Sequence, residues 1–181
     1  MHSYSILNQL LTILLCSLTT NSYALTYIGQ SIEKDSKWYK QQGPYIITID
    51  LSIYKGATLE IEAGTQIFFA KETFMTVAGN LIAKGRQSQK IRFAGLNGTD
   101  WGGFVFTRDC NDYNPTSKEG VCFEHCRFEG SGTQPTHLIQ SKGCKIQSHA
   151  CQITHCYTAI LLERQAECWL SNSVIEHCNR A

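Results

Sequence analysis

The sequence of 181 residues has almost no excess of charge of either sign. Lys and Arg together number 16, Asp and Glu number 15, and the net charge is +1. A chain without a basic excess offers no positive stripe to follow a phosphate backbone, so we expect no nucleic-acid partner. The hydrophobic content of 43% is ordinary for a chain that packs a core, and the length fits one domain.

Helical periodicity and long apolar runs are both missing after residue 25. No later segment approaches the roughly 20 apolar residues that a transmembrane helix needs. Before residue 25, the apolar stretch 6–18 and the small residues of 22–24 are typical of a secretory signal peptide over residues 1–24. No Lys or Arg precedes Lys34, so a short membrane anchor is the alternative. We therefore expect the chain to be secreted or to lie on the extracellular face of the plasma membrane.

Cysteine is nearly absent from the first half of the chain. Of nine cysteines, Cys16 lies in the predicted signal peptide. The other eight all follow residue 100: Cys110, Cys122, Cys126, Cys144, Cys151, Cys156, Cys168 and Cys178. An even set in an exported chain indicates disulfides formed in an oxidising compartment, whereas the first half must be held by packing alone.

What the sequence does contain is a repeat of 22 to 24 residues. The segment 56–64 recurs in looser form as 78–85, which places Leu59 over Leu81. Short alternating apolar runs carry this period, and a fixed period of that length indicates a solenoid. The same comparison, at a spacing of 24, places Phe69 over Phe93.

Glycine-containing turns separate these short apolar runs, so each repeat has three strands and three corners. The fold class predicted is all-β, a right-handed parallel β-helix of 22 to 24 residues per coil over 45–181. The polar lead 25–44 is expected to form an N-terminal cap over the first coil. The last residues, 178–181, match 156–159 without the strand that follows there, so we expect the β-helix to be truncated at its C-terminus.

Two polar segments interrupt the repeat, at 107–120 and 129–136, and are predicted to be inserted loops. We interpret three motifs, His125-Cys126, His155-Cys156 and His177-Cys178, as one position in successive coils. The interval between the first two motifs is longer than the next interval, and the second inserted loop accounts for the extra length. Adjacent strand residues face opposite sides, so a histidine and its cysteine cannot share a zinc ion without a bend, and we expect no metal site and no cofactor.

Disulfide pairing is constrained by the distance between coils. Neighbouring coils lie about 4.8 Å apart, inside the roughly 7 Å limit for a bridge. We expect Cys144 to pair with Cys168. Cys126, Cys156 and Cys178 are expected to lie above one another in successive coils. Only two of them can form a disulfide with each other, and the partner of Cys156 is either Cys126 or Cys178. Buried free thiols are the alternative.

The segments 56–70 and 77–85, together with Trp101-Gly102-Gly103, resemble the opening coils of secreted right-handed β-helix proteins. Among animal proteins the likeness is greatest to the bark beetle (anakonda) family of cell-junction proteins. Those proteins carry such β-helices beside scavenger-receptor cysteine-rich modules. The resemblance implies a non-catalytic extracellular scaffold or a cell-adhesion or cell-junction module, with an extracellular protein or glycan as its partner. Membrane association would then require other parts of a longer protein.

A carbohydrate-binding or polysaccharide-cleaving β-helix is the alternative function, because that fold also carries pectate lyases and polygalacturonases. The nearest candidate residues are Asp100, Asp109 and Asp112, with Arg108 beside them. They fall at turns or in a loop, where acidic residues are common, so we assign no catalytic residue. The sequon at Asn97, followed by Gly98 and Thr99, predicts a glycosylation site in an exported chain.

Overall fold

The computed structural model describes residues 25–130 and 137–180. Within these ranges the chain forms strands that pair in parallel in three sheets, numbered here in chain order. The only helical segments there are two 3-10 turns, Lys40–Gln42 and Leu96–Gly98, and neither is long enough to cross a membrane. The predicted signal peptide and most of the predicted loop 129–136 lie outside the described residues.

The strands of each sheet come from successive passages of the chain. Sheet A contains β1 (Thr26–Ile28), β3 (Tyr45–Ile47), β6 (Gln66–Phe69), β9 (Ile91–Gly95), β12 (Cys126–Glu129), β15 (Gln152–Thr154) and β18 (Val174–Glu176). Sheet B contains β4 (Leu51–Ile53), β7 (Phe74–Val77), β10 (Gly103–Phe106), β13 (His137–Lys142) and β16 (Thr158–Glu163). Sheet C contains β2 (Ser36–Trp38), β5 (Thr58–Ile61), β8 (Asn80–Lys84), β11 (Cys122–Glu124), β14 (Lys145–His149) and β17 (Glu167–Ser171).

From β3 onward the chain visits sheets A, B and C in turn, and each strand pairs with the third strand after it. We call one such passage a coil. Because every strand of a coil adds to a different sheet, successive coils lie on one another and extend all three sheets together. The fold is therefore all-β, with parallel strands in three stacked sheets.

The register agrees with the sequence repeat in one coil and departs from it in the next. Leu59 pairs with Leu81, as predicted. Phe93, however, pairs with Ile67, and Phe69 pairs with Gly95, so the predicted alignment of Phe69 with Phe93 was wrong. The reason is a tight turn between β8 and β9, closed by backbone hydrogen bonds between Arg86 and Gln89, which lengthens this coil.

Alternation of side chains along each strand produces one continuous core. In β5, Leu59 and Ile61 are buried while Glu60 between them is exposed. The middle of the core is aromatic, and its largest fully buried side chains include Trp101, Phe104 and Phe123. Inward positions thus supply the apolar contacts that stabilise the stack, and outward positions carry the polar surface.

The segment predicted as an N-terminal cap, 25–44, follows the same path as the coils after it. Its strand β1 pairs with β3, Ile32 forms a bridge with Ile53, and β2 pairs with β5. Trp38 stacks on the ring of Tyr45, with ring centroids 4.6 Å apart. This segment is therefore a first coil, and it lies at the end of all three sheets.

Candidate functional site

The largest interruption of the coil pattern is the inserted loop 107–120, between β10 of sheet B and β11 of sheet C. A disulfide between Cys110 and Cys144 ties the loop to the corner between β13 and β14, with Cα atoms 6.1 Å apart. The backbone amide of Asn111 also donates to the carbonyl of Gly79 at 3.0 Å. The loop therefore starts from a fixed position on the body of the fold.

A second set of contacts holds the middle of the loop against sheet C. The backbone amide of Lys145 donates to the carboxylate of Asp112 at 2.8 Å, and the amide of Tyr113 donates to the carbonyl of Lys145 at 2.9 Å. The Tyr113 side chain is buried and meets the ring of Trp169 edge-on at 5.9 Å. Because both backbone and side chain are held, this part of the loop packs against the sheet.

The longest continuously exposed part of the loop is its tip, residues 114–119. The amide of Asn114 donates to the carbonyl of Glu119 at 2.8 Å, which closes the tip. The side-chain oxygen of Asn114 accepts from the amides of Thr116 and Ser117, at 2.8 and 3.2 Å. An asparagine side chain in this role imitates a backbone turn, so the exposed tip has a defined shape.

The Cys110–Cys144 disulfide replaces the predicted pairing of Cys144 with Cys168. In β14 and β17, Ile146 pairs with Cys168, so the coil here is two residues shorter than the spacing from Cys144 to Cys168. Cys144 lies in the corner before β14 and reaches the inserted loop instead. Sequence reasoning missed Cys110 because an inserted loop has no coil register from which its neighbours could be read.

We expect removal of this disulfide to destabilise the protein strongly. The bond closes a loop between residues 34 apart, for which chain-entropy reasoning gives roughly 3 to 4 kcal/mol. A variant with both Cys110→Ala and Cys144→Ala should therefore unfold about 10 °C below the parent in a thermal melt. Cys168→Ala is the matched control, because Cys168 is a free thiol of intermediate exposure, and its melting temperature should change far less. Equal melting temperatures for the double variant and the parent would contradict the prediction.

The three His-Cys motifs do not occupy one column, contrary to the prediction. Pairing of Arg127 with Gln152 places Cys126 beside Cys151, at the corner between sheets C and A. The other two motifs follow β15 and β18, at the corner where sheet A ends. The corners resemble each other because His125, His155 and His177 all have a left-handed backbone, with φ of 47°, 56° and 54°. Similar local conformations, repeated at different corners, produced the misleading sequence match.

Cys126 and Cys151 form a buried thiol pair between neighbouring coils. Their exposed fractions are 0% and 2%. Burial raises the pKa of Cys126 well above its usual range. The neighbouring Cys126 thiol lowers the pKa of Cys151 to about 7, although burial opposes this. The Cys151 sulfur nevertheless has almost no access to solvent.

Histidine and cysteine are separated at the corner after sheet A. His155 and His177 are exposed and stack on each other with ring centroids 5.2 Å apart, whereas Cys156 points into the core. Over residues 25–130 and 137–180, one group of three potential ligands lies close enough to hold an ion: Cys110, Asp112 and Cys144. The two sulfur atoms of that group are already bonded to each other.

The candidate acidic residues have local structural contacts. Asp109 pairs with Lys55 at 2.9 Å in an exposed position, and Asp112 accepts from the amide of Lys145. The backbone carbonyl of Asp100 accepts from the amide of Glu72 at 3.0 Å. Among the hydrogen bonds of the described part of the chain, none joins two of these carboxylates. A carbohydrate-cleaving site built on them remains a prediction.

Asn97 lies in the exposed 3-10 turn Leu96–Gly98, between β9 and β10. Its backbone is left-handed, with φ of 54°, and the Thr99 hydroxyl donates to the carbonyl of Leu96 at 2.8 Å. The asparagine side chain is therefore accessible on the surface, and its glycosylation stays a prediction.

No family model, no curated protein and no solved structure matches this sequence.

Proposed function

We propose that this chain is a right-handed parallel β-helix that acts as a non-catalytic extracellular scaffold or adhesion module, in the manner of the bark beetle family that it resembles. The observation that carries the proposal is the loop tip 114–119, which is exposed, closed by its own hydrogen bonds and fixed to a rigid body. A tip that is already ordered loses little conformational entropy when a partner binds. Such loops on rigid frameworks are common places for recognition.

The rest of the lateral surface supports a structural role for the stack. Outward positions of sheet C carry ion pairs between neighbouring coils, such as Lys37 with Glu60 at 3.0 Å and Lys145 with Glu167 at 2.9 Å. Exposed pairs of this kind contribute little to stability and keep a surface solvated. The inserted tip adds an ordered, exposed loop to this surface. We therefore assign contact with an extracellular protein or glycan to the tip.

The test is adhesion by beads coated with the purified chain. Coated beads should adhere to cultured epithelial cells, and replacing residues 115–118 by Gly-Ser-Gly-Ser should reduce adhesion at least tenfold. The reason is that this change removes the exposed side chains while leaving Asn114 and the anchored base in place. Lys71→Ser with Glu72→Ser is the matched control, because these residues form another exposed turn, between β6 and β7.

Two results would count against the proposal. One is that beads coated with the tip variant adhere as well as beads coated with the parent chain or with the control variant. The other is cleavage of a polysaccharide by the parent chain that is lost when Asp100, Asp109 and Asp112 are replaced by alanine, which would favour the enzyme alternative. Far-ultraviolet circular dichroism of each variant shows whether a loss of adhesion or activity reflects unfolding.

A further inference from the structure

Two cysteines of the last two coils lie in sulfur contact. The Sγ atoms of Cys156 and Cys178 are 2.7 Å apart, inside the sum of two sulfur van der Waals radii. Cys156 is buried, with 5% of its surface exposed, and Cys178 is partly exposed. This contact is unlike that of a lone buried thiol, because each sulfur has the other as its neighbour.

The backbone around this contact is regular on both sides. Before the cysteines, Thr154 pairs with Glu176 in the parallel register of β15 and β18. After them, the amide of Asn179 donates to the carbonyl of Cys156 at 3.2 Å, and the amide of Arg180 donates to the carbonyl of Tyr157 at 2.9 Å. Strands paired in this way lie about 4.8 Å apart, within the Cα separation that a disulfide spans.

The direction of the two side chains also agrees. The preceding residues, His155 and His177, have φ of 56° and 54°, so both corners turn in the same way. Each histidine then faces solvent, and each following cysteine faces the interior on the same side of its coil. The two sulfurs meet because identical corners are placed one above the other.

We propose that Cys156 and Cys178 form a second disulfide, which joins the last two coils at the corner after sheet A. The oxidant is a small disulfide such as oxidised glutathione. One cysteine thiolate attacks a glutathione sulfur, which gives a mixed disulfide and releases one glutathione thiol. The other cysteine thiolate then attacks the protein sulfur of the mixed disulfide and releases the second glutathione. Each cysteine loses one proton, and the two electrons pass to the two glutathione molecules.

The remaining free cysteines fit this exchange less well. Cys122, Cys126 and Cys151 are almost fully buried, so a glutathione molecule cannot reach their sulfurs in the folded chain. Cys168 pairs in register with Ile146, so its neighbour in the preceding coil is not a cysteine. Cys178 is partly exposed, which gives the first exchange step a point of attack.

The test is disulfide mapping of the full chain after incubation in a buffer of oxidised and reduced glutathione. Free thiols are blocked with N-ethylmaleimide, and the chain is then digested with trypsin and Glu-C without reduction. Cleavage after Glu176 and Arg180 isolates Cys178 on the peptide 177–180, and cleavage after Lys145 and Glu163 gives the peptide 146–163. We expect these two peptides to be recovered as one disulfide-linked species.

Variants identify the cysteine within the peptide 146–163, which contains both Cys151 and Cys156. The linked species should persist in Cys151→Ser and in the matched control Cys168→Ser, and disappear in Cys156→Ser. Recovery of 177–180 from the parent chain as a maleimide adduct would overturn the proposal. Linkage of 177–180 to the peptide 168–176, or through Cys151, would overturn it as well. Fragmentation of the linked species from the parent chain in the mass spectrometer also assigns the bond to Cys151 or Cys156, so the result does not depend on whether a variant folds.

Discussion

Replacing Phe104 by alanine should lower the free energy of unfolding by roughly 3 to 5 kcal/mol, the usual cost of removing a buried ring from a packed core. Phe104 has no exposed surface and lies at the centre of the aromatic core. Six neighbouring rings have centroids between 5.2 and 6.2 Å from its own: Phe69, Phe93, Trp101, Phe106, Phe123 and Phe128. These rings come from three successive coils, so the cavity would weaken contacts along the stack. Urea unfolding followed by tryptophan fluorescence measures the loss.

Phe68→Ala provides the matched control for Phe104→Ala. Phe68 lies on β6 next to Phe69 but faces outward, where the guanidinium of Arg92 lies 5.2 Å from its ring centroid. Removing it loses partial burial and one cation–π contact, at a cost of about 1 kcal/mol. A loss for Phe104→Ala no larger than that for Phe68→Ala would mean that the aromatic centre does not hold the coils together.

Gly103→Ala should have the second large effect, with a loss of about 3 kcal/mol or more. Gly103 begins β10 with φ of +79°, a left-handed conformation that costs a residue with a Cβ atom about 1 to 2 kcal/mol. A Cβ atom there would also lie 2.6 Å from the carbonyl oxygen of Leu138 and closer still to that of His137, on the neighbouring coil. The clash is with backbone, so β10 and β13 would have to move apart, which adds about 1 to 3 kcal/mol.

Gly56→Ala separates these two costs. Gly56 has a similar φ of +83°, but nothing lies within 4 Å of the position of its Cβ atom. Its substitution should therefore cost only the conformational part, about 1 to 2 kcal/mol. Comparing the two variants by urea unfolding measures the close approach between coils by itself. If both variants lost the same stability, the tight contact at Gly103 would be refuted.

The sequence predicted the parts of the fold that depend on local patterns. Alternating apolar residues and glycine turns indicated short strands, and the spacing of Leu59 and Leu81 gave the register of that coil correctly. The register of the next coil was predicted wrongly because two residues of the same type, Phe69 and Phe93, were aligned with each other. The structure instead places Ile67 beside Phe93, since a core can accept different apolar side chains at one level. Coil length depends on the corner turns, and such turns do not alter the apolar pattern.

The cysteine arrangement was harder to predict than the strands. Cys110 lies in a loop outside the repeat, so no period could assign it to Cys144. Cys126 and Cys156 looked equivalent because each follows a histidine at a left-handed corner. Which corner a motif occupies depends on the number of residues in the intervening strands and loops. One of the two neighbours considered for Cys156, Cys178, is at sulfur contact distance, whereas Cys126 belongs to another corner.

The position of the Cys110–Cys144 disulfide has a mechanical consequence. A force applied to the two ends of the chain would separate the coils of residues 25–109 against hydrogen bonds and packing alone, because no cysteine lies between residues 25 and 109. The cross-link, in contrast, shields the 34 residues that it spans from extension. At about 3.4 Å per residue, that withholds roughly 115 Å of chain. Under tension, the coils outside the cross-link would therefore lengthen, while the covalently closed part stays short.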